Sequence, residues 1–188
     1  MESTLKNMVV VLLLITLVCS AAVGLVYKVT AEPIAAAKDA KISGAIALVV
    51  PTFDNNPAEN PMTKEVDGGV MTVYTATQGG QVMGYAVETF TNEGFGGTIK
   101  LMVGFLPDGS ISHIEVIEQK ETPGLGDKID KSKSDFSLQF EGKSPADFKL
   151  SVRKDGGDVD AITASTISSR AYCDAVERAY NLLQTIKR

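Results

Sequence analysis

The sequence predicts an α+β fold: an antiparallel sheet packed with helices, preceded by one N-terminal transmembrane helix. Three observations predict it. An uncharged apolar run fills Met8–Tyr27. Four segments rich in strand-forming residues follow, joined in pairs by the turns "QGG" and "PDG". The chain then closes on a stretch whose apolar residues recur at helical spacing.

The first element is "MVVVLLLITLVCSAAVGLVY". A helix rising ~1.5 Å per residue needs ~20 apolar residues to cross a hydrocarbon core of ~30 Å. Lys6 and Lys28 bracket the run and can reach the two interfaces. Tyr27 suits the headgroup layer. A cleaved signal peptide has a shorter apolar core, so an uncleaved anchor is the expectation, although Ser20, Ala21 and Ala22 offer small residues. A lipoprotein signal places a small residue before its cysteine, and here Val18 precedes Cys19. One lysine on each side, with Glu2 counting for little, leaves the direction of crossing open. The expected organisation is an anchor over residues 1–28 and a domain over residues 29–188.

The domain is expected to open with a helix starting around Thr30–Pro33 and ending before Pro51. Residues 52–68, rich in Pro, Asn, Asp and Gly, read as a loop. Strands are expected at 70–77, 81–90, 97–106 and 110–119. Alternation in the last places Ile111, His113, Glu115 and Ile117 on one face, with His113 an ordinary strand residue. "FKLSVRKD" (148–155) reads as a further strand. The final helix runs from about Ile167 to Ile186, with Ala171, Ala175, Ala179, Leu182, Leu183 and Ile186 as its apolar face. Arg178, Lys187 and Arg188 favour its C-terminal half, as the helix dipole prefers.

Composition narrows the function. The net charge of −5 argues against a nucleic-acid surface. A single histidine excludes a histidine metal cluster or a relay of histidines. Cys19 and Cys173 form no CxxC or zinc pattern. There is no GxSxG elbow for a serine hydrolase, no iron–sulfur cysteine set and no GxGxxG fingerprint.

Two stretches carry chemistry. "ETPGLGD" (121–127) sets two glycines and a proline in a tight loop after a strand, where a flat ligand or a backbone can approach closely. It is equally an ordinary turn. "DAITASTISSRAY" (160–172) crowds Asp160, Thr163, Ser165, Thr166, Ser168 and Ser169 at the mouth of the last helix. One hydroxyl, Thr166 or Ser168, is expected to cap the helix. The free N–H groups of a first turn also form an anion site reinforced by the helix dipole.

Together these stretches resemble the covalent-FMN domain shared by the G subunit of Rnf electron-transport complexes and the C subunit of the sodium-translocating NADH:quinone reductase. In that family a flavin transferase recognises D-x-x-[ST]-G-A-T-x-[ST] and moves FMN from FAD onto the threonine as a phosphoester. Asp160, Thr163, Thr166 and Ser168 fit the pattern, while Ala164 stands for the glycine and Ser165 for the alanine. The resemblance implies FMN on Thr166, with Thr163 and Ser165 beside it and Ser165 a second possible acceptor. It also implies that Glu121, Thr122, Gly124 and Leu125 lie against the flavin. The family's histidine upstream of the loop is Gln119 here, and "GFGGTI" (94–99) matches another family segment. The compact chain favours the Rnf branch.

The implied function is that of an electron-transfer component without independent catalysis, in an ion-translocating ferredoxin:NAD oxidoreductase. Its partners would be the other subunits, the membrane and, during maturation, the transferase. Its domain would sit on the outer face of a bacterial inner membrane. The rivals are the quinone-reductase branch and a membrane-anchored assembly module without redox function, in which the hydroxyls serve only as a cap.

Overall fold

The computed structural model describes residues 4–187, so Glu2 and Arg188, weighed above for their charge, lie outside the described residues. Helix α1 runs Leu5–Val49 without a break. It is the one helix among the described residues long and apolar enough to cross a membrane. The second helix expected to start at Thr30–Pro33 does not start there, because Pro33 lies inside α1. Extending an existing helix is far easier than nucleating a new one. Pro33 then costs only the hydrogen bond to the carbonyl of Val29, itself an exposed residue. The expected end before Pro51 agrees with Val49. By its contacts the chain divides into one compact unit through Lys41 and another from Ile42 onward.

The second unit is built on a five-stranded antiparallel meander in chain order. Its strands are β1 (Met62–Val66), β2 (Gly69–Gln78), β3 (Gln81–Gly94), β4 (Gly97–Phe105) and β5 (Ile111–Glu118). The expected strands match β2 to β5 closely. The Gly79–Gly80 turn joins β2 to β3 with positive φ at both residues, a geometry only glycine adopts freely. Strand β1 falls in the segment read as a loop. It is an exposed edge strand, so the apolar alternation that marks a strand is absent. Its signal is the Asp67–Gly68 turn that closes the register between Val66 and Gly69.

The two faces of the sheet carry separate cores. Helix α2 (Thr166–Ile186) packs Ala171, Tyr172, Ala175, Val176, Ala179, Leu182 and Leu183 against one face. The last turns of α1 lay Ala45, Ile46 and Val49 against the other, over Tyr74, Ala76, Ala86 and Met102. Gly104 makes the second contact possible, because a Cβ there would meet the Val49 carbonyl. β5 does not keep the simple alternation expected of it. Its register skips Ser112 and Ile117, and each bulge shifts the phase of the side chains. Ile111, Ile114 and Val116 therefore join the α2 core, while Ile117 joins the α1 core. His113 is more than a plain strand residue: its Nδ1 lies 2.5 Å from Glu141 Oε1 and its Nε2 2.9 Å from Lys131 Nζ.

The strand expected at 148–155 is absent. Val152 forms a single parallel bridge to Val159, and Arg153–Asp155 is one turn of 3-10 helix. The segment bends on itself instead of joining the sheet, with Lys149 N–H donating to Asp158 Oδ2 at 2.7 Å. At the far end of α2, Lys187 is the C-cap residue and donates to the Pro107 carbonyl, while Arg178 lies over the Phe90 ring.

Among the described residues, the Tyr172 hydroxyl is one of four buried side-chain atoms without a hydrogen-bond partner. Tyr172 is fully buried, with ring contacts to Phe136 and Phe140, and its hydroxyl makes no hydrogen bond to the described residues. Burial pushes its phenol well above the usual range. An orphaned buried donor costs ~1–3 kcal/mol. Tyr172→Phe is therefore expected to leave stability unchanged or raise it by ~1 kcal/mol, read from the denaturant midpoint. A loss of stability would show that the hydroxyl has a partner.

Candidate functional site

The β3–β4 hairpin, the loop after β5 and the mouth of α2 meet around one cleft of ≈ 360 Å³. The hairpin contributes Phe95, the loop contributes Glu121, Thr122, Leu125 and Gly126, and the helix mouth contributes residues 164–168. Of the residues singled out in the sequence, Glu121, Thr122, Leu125, Ser165, Thr166 and Ser168 line this cleft. Gly124 and Thr163 are exposed and do not line it. Gly124 shapes the loop instead, through its φ of +76°.

Glu121 holds the three segments together. It is 5% exposed. Its Oε1 accepts the Gly96 N–H at 2.8 Å, which fixes the hairpin. Its Oε2 accepts a short hydrogen bond from Ser168 Oγ, which fixes the helix. Its own N–H donates to Gln119 Oε1 at 2.6 Å, so the side chain at the departing position serves as an acceptor for the loop. Three glycines make room for this arrangement. A Cβ on Gly94 would sit 2.8 Å from Glu121 Oε1, and one on Gly126 would sit 2.6 Å from both Oε2 and Ser168 Oγ. A Cβ on Gly96 would run into the Lys120 carbonyl.

The crowded hydroxyls have distinct fates. Asp160 is exposed and pairs with Arg153 at 3.0 Å. Ser169 Oγ accepts from the Ile162 N–H and donates to the Ser165 carbonyl, both at 3.0 Å. Ser168 is committed to Glu121. The cap expected at Thr166 or Ser168 is not formed: Ser165 occupies the N-cap position, and no side chain caps the helix. The cause lies one residue upstream. Ala164 has a φ of +62°, which turns the chain and starts the helix at Thr166. The first-turn amides of Thr166, Ile167 and Ser168 thus have no capping side chain, and helix geometry gives them no carbonyl of their own. The half-buried Thr166 hydroxyl makes no hydrogen bond to the described residues.

The positive φ at Ala164 is one that a glycine adopts freely. An L-residue with a Cβ pays ~1–2 kcal/mol to adopt it. Ala164→Gly is expected to raise stability by ~1 kcal/mol, measured by chemical unfolding. An unchanged or lower midpoint would mean that the turn is unstrained.

Sequence reasoning did not single out Phe95, Gly126 or Ile167 as site residues. Phe95 is 69% exposed and Ile167 49% exposed. With Leu125 they form an apolar rim, and isolated exposed apolar side chains cannot be told from scattered ones until the fold brings them together. The signal for Phe95 was its position as the only side chain between glycines in "GFGG".

A cleft of this size with apolar walls, a few buried polar groups and an open helix mouth defines a small-molecule site, at the low end of the usual range of ~300–1,000 Å³. An apolar helix of membrane-crossing length precedes it, so the class is a membrane-anchored ligand-binding domain. Residues 94–181 match the family model of the FMN-binding domain. The chain is 36% identical to the G subunit of the ion-translocating oxidoreductase complex of Shewanella loihica, over 88% of this chain and 82% of that one. It is 36% identical to a protein of the same name from Cereibacter sphaeroides, over 90% and 80%. The identity to one from Haemophilus influenzae is 34%, over 88% and 83%. The chain belongs to the G-subunit family of ion-translocating oxidoreductase (Rnf) complexes, and it is a membrane-anchored FMN-binding electron-transfer protein.

Proposed function

We propose that this chain carries FMN as a phosphoester on Thr166 and relays electrons through it within an ion-translocating ferredoxin:NAD oxidoreductase. The observation that carries the reading is the state of the Thr166 hydroxyl. It lines the cleft, has no hydrogen-bond partner among the described residues and sits on the first turn of a helix that no side chain caps. Ser165, the competing acceptor, is 7% exposed and less accessible to a transferase. Ser168 and Ser169 are buried and already bonded.

The residues present fit the group. The amides of Thr166 and Ile167 would hold the ester phosphate. Phe95, Leu125 and Ile167 would flank the ring, with Thr122 at its edge and Thr163 outside the cleft. Bound FMN supplies uptake of two electrons and their release one at a time. Among the described residues, the cleft has no lysine, arginine or histidine in its lining to grip a free phosphate. A micromolar site, worth about −8 kcal/mol, stands mostly empty at nanomolar ligand. The ester therefore acts as a retention device, suited to a domain on the outer face of the membrane where free FMN is dilute.

In this reading a flavin transferase loads the protein, the other subunits of the complex exchange electrons with it, and the chain catalyses no reaction alone. The test is co-expression with a flavin transferase. The band on a denaturing gel should fluoresce as flavin, and should stay dark without the transferase. A dark band in both cases would favour an anchored assembly module.

A further inference from the structure

We infer that Glu121 sets the redox potential of the flavin, holding it down with a fixed negative charge beside the ring; the inference rests on the flavin reading above. Glu121 is the one ionisable side chain among the described residues lining the cleft. It is 5% exposed. Its two oxygens meet Gly96 N–H and Ser168 Oγ, and neither partner carries a charge. A backbone N–H can only donate, so Oε1 is held as an acceptor. Arg170 is held in a fork by Asp155, at 2.6 Å and 2.8 Å, and does not line the cleft. The helix mouth supplies only partial positive charge.

The socket is built for this carboxylate. Gly94 and Gly126 leave the space its oxygens occupy. A site needing only a bridge between hairpin and helix could use an amide, which also accepts from one side and donates on the other. What a carboxylate adds is charge.

The oxidised ring is neutral. When a one-electron donor is oxidised, its electron enters the ring, which becomes negative unless a proton from solvent follows. The carboxylate of Glu121 and a negative reduced ring are like charges in one cleft and repel, so the reduced form is disfavoured. An uncharged side chain at this position would make the flavin easier to reduce.

The test is a dithionite titration of the full-length, transferase-loaded protein against mediator dyes, followed by absorbance. Two neutral variants are compared with the wild type. Glu121→Gln keeps both hydrogen bonds, and Glu121→Met removes them. Loss of charge is common to both, so either loaded variant should favour reduction about tenfold, an upward shift of ~59 mV for a one-electron step. A potential that stays level or falls in the loaded variants would overturn the inference while leaving the flavin reading intact. A wild-type protein without flavin would overturn the reading and the inference together.

Discussion

Thr166→Ala is expected to abolish covalent flavin while leaving the fold in place. Thr166 is the first residue of α2, half-buried, with no hydrogen bond to the described residues to lose and no capping role. A substitution at such a position changes stability by no more than ~0.5 kcal/mol. The flavin effect, by contrast, is all or none, because alanine offers no oxygen for the ester. Thr166→Ser should retain attachment. On a denaturing gel the alanine variant should be dark at a protein level equal to wild type. A fluorescent Thr166→Ala band would move the acceptor to Ser165, the neighbouring hydroxyl of the helix mouth that lines the cleft, since Ser168 and Ser169 are already bonded.

Gly96→Ala carries the largest expected cost in stability. A methyl group there meets the backbone carbonyl of Lys120, which cannot rotate away as a side chain would. The hairpin must move off the loop, and the Gly96 N–H to Glu121 bond is lost with it. Overpacking and a lost hydrogen bond to a charged group together cost ~3 kcal/mol. For a unit of this size that corresponds to ~6–12 °C in the thermal midpoint. Flavin loading should fall as well, since Phe95 rides on the displaced turn. A midpoint equal to wild type would show that the hairpin and the loop are not in the close contact described.

Much of this was legible in the sequence, for identifiable reasons. The anchor, β2 to β5 and α2 each carry a strong local signal, whether an unbroken apolar run, paired turns or helical spacing. β1 lacked such a signal because an exposed edge strand has no buried side to alternate with. Residues 148–155 misled because Leu150 and Val152 are buried at strand-like spacing, while their backbone groups are satisfied within a loop. The bulges at Ser112 and Ile117 changed the facing of β5, and nothing local marks them. In the site, the loop and the helix mouth were visible as separate motifs. Their bond, between Glu121 and Ser168, spans 47 positions and belongs to the tertiary fold. It also explains a hydroxyl that capping could not: Ser168 serves the loop, and the helix mouth is left open.

The most direct measurement is the intact mass of the full-length protein produced with a flavin transferase. The account predicts a mass above that of the polypeptide by one FMN less one water, with the increment mapping by peptide fragmentation to Thr166. A mass equal to the bare polypeptide, in protein shown to be folded and exposed to active transferase, would contradict it.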